Sequence, residues 1–300
     1  MKLLNAGERG FLLLTSNLGD PERKPLTVAQ FRTLMERSRN MKRSEASRDA
    51  DVHDFTAIGY SPKAAQHIVT LLQDEALLQY YLNKARKADC VPITRATPNY
   101  PLIVRKRLGL DAPGCLWAKG DLSLLETPMI ALVGSRDLAP VNRAFAEEVG
   151  RQAALQGYTL VSGNARGADK AAQNACLNAG GRVISGVADS LASHKAQKNM
   201  LFLSEDSFDE EFSAQRAISR NRVIHSLGLK TFVAQSDLGK GGTWDGTVKN
   251  LRFGWSSVYC FDDGSEAAAQ LMQMGAEIIS RTALNNFGAL YENRTSFLDQ

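Results

Sequence analysis

The sequence predicts an α/β fold, a parallel sheet with helices on both faces, preceded by a small all-helical domain. Three observations carry that expectation. After residue 120, short apolar runs alternate with helical patterns: MIALVG, VNRAFAEEVGRQAALQG, YTLVSG, ADKAAQNACLNAGG, RVISGV, KTFVAQS, SSVYCFD, EAAAQLMQMG and AEII. Such alternation means βα units and hence parallel strands. Before Cys90 there is no strand pattern of any length. Finally, 300 residues with 44% hydrophobic side chains suffice for two units with a sizeable core.

In chain order, PLTVAQFRTLMERSR opens a helix near residue 28. Thr27 is its cap, Gln30 the third position of a capping box, and Leu26 with Phe31 a hydrophobic staple. YSPKAAQHIVTLL starts another, with Ser61 as cap, Pro62 at the first turn, and Ala65, Ile68 and Leu72 at helical spacing. A further helix is expected over 74–87. The Pro/Thr-rich CVPITRATPNYP then reads as a linker. The expected division is 1–95 helical, 96–284 sheet domain, and 285–300 a mobile tail. Within the sheet domain Ala168, Ala171, Ala172, Ala175, Cys176 and Ala179 make one stripe of small residues that can lie close against the sheet. Gly157 and Gly180 fall where helices end.

Bulk chemistry excludes several classes. A formal charge of +4 permits a polyanionic partner without demanding one. Cys90, Cys115, Cys176 and Cys260 include no C-x-x-C pair and have no His at zinc-like spacing, so neither a metal site nor a disulfide framework is expected, and a reducing cytoplasm fits. FLLL at Phe11 to Leu14 is too short for a signal sequence or membrane span. His194 and His225 stand apart from any cysteine or carboxylate cluster and are read as non-catalytic.

In an open parallel sheet, ligands bind beyond the carboxyl ends of the strands. Three loops there combine glycine or hydroxyl groups with one cation: Gly134-Ser135-Arg136, the run from Ser162 and Gly163 to Arg166 and Gly167, and Lys240-Gly241-Gly242-Thr243. Backbone amides at a helix start bind phosphate, and arginine adds a bidentate fork. A tight glycine turn carrying a solvated arginine fits GNARGADKAA as well.

VGSR (133–136), LVSGNARGADKAAQNACLNAGG (160–181) and SRNRVIHSL (219–227) resemble the signature of the DNA-processing protein A family, also called DprA or Smf. NYPLIVRKRLGLDAPGCLWAKGDLSLL resembles the segment that leads into its sheet. The similarity spans about residues 95–280, and more loosely the amino-terminal helices resemble that family's sterile-alpha-motif-like domain. The resemblance implies an extended Rossmann-like fold and a cytoplasmic, homodimeric protein without catalytic residues or cofactor. It further implies that the protein binds and protects single-stranded DNA and helps load the RecA recombinase in transformation or recombination. Arg136 and Arg166 match the family's loop arginines and would contact phosphates. Ser135, Ser162, Gly163 and Gly167 would supply backbone and hydroxyl donors.

Arg220, Asn221 and Arg222 match its Arg-Asn-Arg signature. On a helix the two arginines are separated by roughly 200°, so one would face the groove while the other packs or caps. For Arg222 a structural salt bridge is the competing role. Lys240 is either a point charge tracking the strand or a solvated loop lysine. Trp244 is placed to stack a base, although core packing is the preferred reading.

The sequence also departs from the pattern. Asn164, Ala168 and Gln173 replace Leu, Ile and His, ADSLASHKAQKNMLFLSEDSFDEEF replaces a segment ending in a Ser-Glu strand, and Gln235-Ser236 replaces Glu-Ala. A carboxy-terminal winged helix is not expected after residue 284. Two alternatives stay open. A phosphoribohydrolase of the same superfamily would need a glutamate after its glycine pair, which GKGGTWDGTVKN lacks. A nucleotide-sensing module would use the same phosphate cradle.

Overall fold

A computed structural model describes residues 4–39, 41, 49–205 and 207–290. Five helices come first: α1 (Ala6–Thr15), α2 (Val28–Ser38), α3 (Val52–Ala57), α4 (Pro62–Gln73) and α5 (Glu75–Lys87). There follow β1 (Val91–Thr94), α6 (Leu102–Leu108), β2 (Cys115–Gly120), β3 (Met129–Val133), α7 (Pro140–Leu155), β4 (Thr159–Ser162), α8 (Ala168–Asn178) and β5 (Arg182–Gly186). The remainder is β6 (Met200–Glu205), α9 (Ala214–Leu227), β7 (Lys230–Val233), α10 (Gly241–Phe253), β8 (Ser257–Phe261), α11 (Glu266–Gln273) and β9 (Glu277–Ile279).

The nine strands form one sheet in the order β1-β2-β6-β5-β4-β3-β7-β8-β9. Pairs β1–β2 and β2–β6 are antiparallel, and the other six are parallel. This is the expected Rossmann-like sheet, extended at one edge by an antiparallel pair. From β3 the chain winds outward through β4, β5 and β6, then returns to place β7 on the other side of β3. The strand order therefore reverses between β3 and its neighbours, and a crevice opens at their carboxyl ends.

Local chemistry sets the helices as expected. Thr27 and Gln30 form the capping box of α2, while Ser61 caps α4 with Pro62 in its first turn. The alanine stripe of α8 buries Ala168, Ala171, Ala172 and Cys176, whereas Ala179 is exposed. Facing it, Gly150 of α7 lies so close to Ala172 that a Cβ would overlap that residue's carbonyl oxygen.

Three boundary expectations are corrected. The supposed linker contains β1, whose Val91 to Thr94 pair with Ala118 to Cys115, so a division at residue 95 would cut a strand from the sheet. Nor do the first helices stand apart. Leu12, Leu13, Leu78 and Tyr81 of α1 and α5 share one core with Trp117 and Phe208, while α2, α3 and α4 supply a separate cluster around Phe31, Phe55 and Ile68. The tail does not begin at Asn285, because Leu284 and Phe287 are fully buried and Phe287 packs on Phe232 at 4.9 Å. Residues 291–300 of the expected tail lie outside the described residues.

His225 is fully buried on α9, with its Nδ1 3.0 Å from the amide nitrogen of Asn250. Burial pushes its pKa from the ordinary 6.5 down to about 3. The folded chain thus holds it neutral while the unfolded chain protonates it near 6.5. Its contribution to stability is full above pH 6.5 and is lost progressively as pH falls toward 3. Urea denaturation of wild type and His225→Gln between pH 7 and 4 checks this, with a smaller loss of midpoint expected in the variant.

Candidate nucleic-acid interface

The crevice is a cleft of about 400 Å³ at the carboxyl ends of β3, β4 and β7, closed on one side by the first half of α9. Its lining brings together Gly134, Ser135, Arg136, Gly163, Arg220, Asn221, Lys240, Gly241 and Gly242. The three loops that the sequence singled out by composition thus meet at one place. A shallower depression of about 330 Å³ continues from it past Asn164, Arg166, Asp189 and Phe212, sharing Arg136 and Arg220. Together they make one groove across the sheet edge.

Close backbone packing explains the glycines. A Cβ on Gly134 would strike that of Ala168, and one on Gly163 would overlap the Asp169 carboxylate and the Arg220 guanidinium. Gly167 has φ of +80°, and a Cβ there would overlap the carbonyl oxygens of Ser135 and Arg136. The first amide of α8, at Ala168, donates to the Ser135 carbonyl at 3.1 Å. In this way the loops after β3 and β4 are fastened to each other.

Asp169, absent from the sequence reading, organises the second loop. Its carboxylate accepts the Ala165 amide at 3.1 Å and also that of Gly163. Burial raises its pKa, an effect opposed by the nearby Arg220 cation and by these amides. Desolvation in turn lowers the pKa of Arg220, against the attraction of Asp169. An acid in the first turn of α8 here reaches back to the amides of the preceding loop. The amides of Gly163 and Ala165 are thus engaged within the chain, which corrects the expectation that Gly163 supplies a backbone donor to phosphate. Asp169 follows the second glycine of the loop by two residues, and its place in the first turn of a helix was the available signal.

Two more expected contacts are corrected. Ser162 is fully buried, and its hydroxyl accepts from Gln173 at 2.8 Å and points to the Gly163 carbonyl. Gln173 also binds Ser185 and the Gly163 carbonyl, so the residue that departs from the pattern consumes the serine. Arg222 is ion-paired to Glu205 and donates to the Asp111 carbonyl, and it does not line the cleft. Arg220 does line it, donating to the Gly186 carbonyl, so the signature splits as the helical spacing required. Asn221 donates to the Gly242 carbonyl at 3.0 Å and ties α9 to the start of α10.

The cations that face solvent are Arg136, Arg166 and Lys240. Arg166 is 74% exposed and pairs with the equally open Asp137 at 3.2 Å. Arg136 lies over the ring of Phe212 at 6.0 Å, and Phe212 is itself 55% exposed. This aromatic went unread because it sits in an acidic run outside any motif. Trp244 is partly buried and packs on the core, as preferred. His194 is 3.1 Å from the carboxylate of Asp189 and stacks on Phe202. Among the described residues no group of three or more His, Cys, Asp or Glu is placed to hold a metal ion. Among them, too, no helix is long and apolar enough to cross a membrane.

A family model described as DNA recombination-mediator protein A matches residues 92–286. The chain belongs to this family. DNA processing protein DprA of Streptococcus pneumoniae is 31% identical over 187 residues, covering 57% of this chain and 64% of the relative. The match thus spans somewhat less than two thirds of that DprA. The crystal structure of Streptococcus pneumoniae DprA superposes with a TM-score of 0.69 at 24% identity, covering 93% of this chain and 95% of that one. A second structure, described as showing the single-stranded DNA binding mode of DprA from Helicobacter pylori, gives a TM-score of 0.53 at 24% identity, over 63% of this chain and 90% of that one. Both likenesses concern the DprA fold.

Proposed function

We propose that this chain is a single-stranded-DNA-binding recombination mediator of the DprA/Smf type, acting without catalysis. The observation that carries the reading is the convergence of Arg136, Arg220 and Lys240 in one strand-end cleft, with Arg166 and the exposed ring of Phe212 alongside. Cations along a groove track a phosphate backbone, and an exposed aromatic accepts any unstacked base. Nothing in this arrangement reads base edges, so the preference is for strandedness and not sequence. Family membership and the binding stated for the Helicobacter pylori relative support the same reading. Protection of the strand, action as a homodimer and delivery of DNA to RecA complete the proposal, as does a cytoplasmic setting.

The test is titration of the full chain with an unstructured oligonucleotide, its duplex and free nucleotides at two salt concentrations. A base stacked on an aromatic contributes about 1–3 kcal/mol, which a paired base cannot supply. The oligonucleotide should therefore bind roughly 5- to 150-fold tighter than the duplex. Equal affinity for both would contradict the proposal, and saturation by free nucleotide alone would favour a sensor.

A further inference from the structure

Between β6 and α9 the chain crosses from the sheet to the groove, and Phe212 stands near the end of that crossing. The amino-terminal helices hold the crossing in place. The hydroxyl of Tyr81 in α5 donates to Asp209 Oδ1 at 2.6 Å and lies 2.9 Å from the Ser207 hydroxyl. Lys84, on the next turn of α5, donates to Asp209 Oδ2 at 2.6 Å. Asn17, after α1, donates to the Glu210 carboxylate. From the other side Arg216 of α9 donates to the carbonyls of Glu210 and Glu211, at 2.7 and 3.1 Å. Phe212 follows directly, with its exposed ring beside Arg136.

Apolar packing already joins α5 to the sheet, because Tyr81 is fully buried and its ring lies 5.4 Å from that of Trp117 and 4.6 Å from that of Phe208, between centroids. A carboxylate at this seam is therefore not needed for docking. Burial acts to raise the pKa of Asp209, yet the bonds from Lys84, Tyr81 and Ser207 hold it below the ordinary carboxylate value. A largely buried ionised group adds little net stability but demands one geometry of its partners. The bond from Tyr81 joins positions 128 residues apart in the chain. What it fixes is the placement of the loop against the helices, one short step before the aromatic ring.

We propose that Tyr81, with Lys84, acts through Asp209 to position the ring of Phe212 at the groove, so that the amino-terminal helices take part in holding single-stranded DNA. Neither Tyr81 nor Lys84 lines the groove, so both are positioning residues. The proposal rests on the reading of Phe212 as the ring on which an unstacked base lies. A ring held in place before the strand arrives loses no freedom on binding, whereas a ring on a loose loop does, and binds more weakly for it.

The test is a double-mutant cycle on the full chain, read as affinity for an unstructured oligothymidylate at two salt concentrations. Tyr81→Phe keeps the buried ring and the net charge. Asp209→Ala removes a negative charge, which by electrostatics alone would tighten binding. Each is instead expected to weaken binding by about fivefold, the lower end of what a base stacked on an aromatic contributes. For Tyr81→Phe the slope of log affinity against log salt should match wild type, since no phosphate contact is lost. In a Phe212→Ala background neither substitution should weaken binding further. A loss of the same size with and without Phe212 would show that the helices act through general stability, and would overturn the proposal. Wild-type affinity in both variants, while Phe212→Ala binds poorly, overturns it too but leaves the stacking reading in place. If Phe212→Ala itself binds like wild type, the stacking reading falls and the positioning role with it.

Discussion

Gly167→Ala is expected to abolish measurable oligonucleotide binding while leaving a folded, less stable protein. Gly167 holds φ of +80° and ψ of −125°, a region essentially closed to residues with a Cβ. The strain alone costs about 1–3 kcal/mol. The added methyl would also drive into two backbone carbonyls, those of Ser135 and Arg136, which cannot rotate away as a side chain could. The loops after β3 and β4 must then separate, and the Ala168 amide loses the Ser135 carbonyl. Arg136 and Arg166 sit on opposite sides of that seam, so one displacement disturbs both. A melting temperature lowered by roughly 5–10 °C, read by circular dichroism, would accompany the lost binding. Wild-type affinity in a folded variant would show that the loop geometry is irrelevant to the ligand.

The parallel core of this fold was legible because βα units leave a local signature. Runs such as MIALV and YTLVS, each followed by a helical pattern, need no distant partner to be recognised. The antiparallel edge was not legible. β1 is four residues long and contains Pro92, and β2 is buried along most of its length with Lys119 inside it, so neither alternates. What makes β2 a strand is β6, which pairs with it from more than eighty residues away. The linker reading failed for the same reason.

The site divides similarly. Glycines and arginines placed after strands were readable as a group because the switch point of a parallel sheet gathers such loops. Which polar groups the fold consumes internally was not. Ser162 goes to Gln173, Arg222 to Glu205, and the Gly163 and Ala165 amides to Asp169. Each depends on a partner whose geometry a linear pattern does not contain. Phe212 was missed for the converse reason. It lies in a segment read only as a departure from the family pattern, and it matters only because the fold sets it beside Arg136.

The central claim is that the strand-end groove grips a phosphate backbone through Arg136 and Arg166. The ion pair between Arg166 and Asp137 is open to solvent, and such pairs contribute about 0–1 kcal/mol, so a phosphate can displace Asp137 at little cost. Arg136 spans both depressions of the groove and is exposed. Neither side chain is part of the core, so Arg136→Ala/Arg166→Ala should fold like wild type. The deciding measurement is the affinity of wild type and this double variant for one unstructured oligonucleotide across a series of salt concentrations. Each neutralised phosphate on a single strand contributes about 0.7 to the slope of log affinity against log salt. The account predicts weaker binding with a slope smaller by roughly 1.4 in the double variant, at two phosphates lost. A folded double variant with the affinity and salt slope of wild type would contradict it.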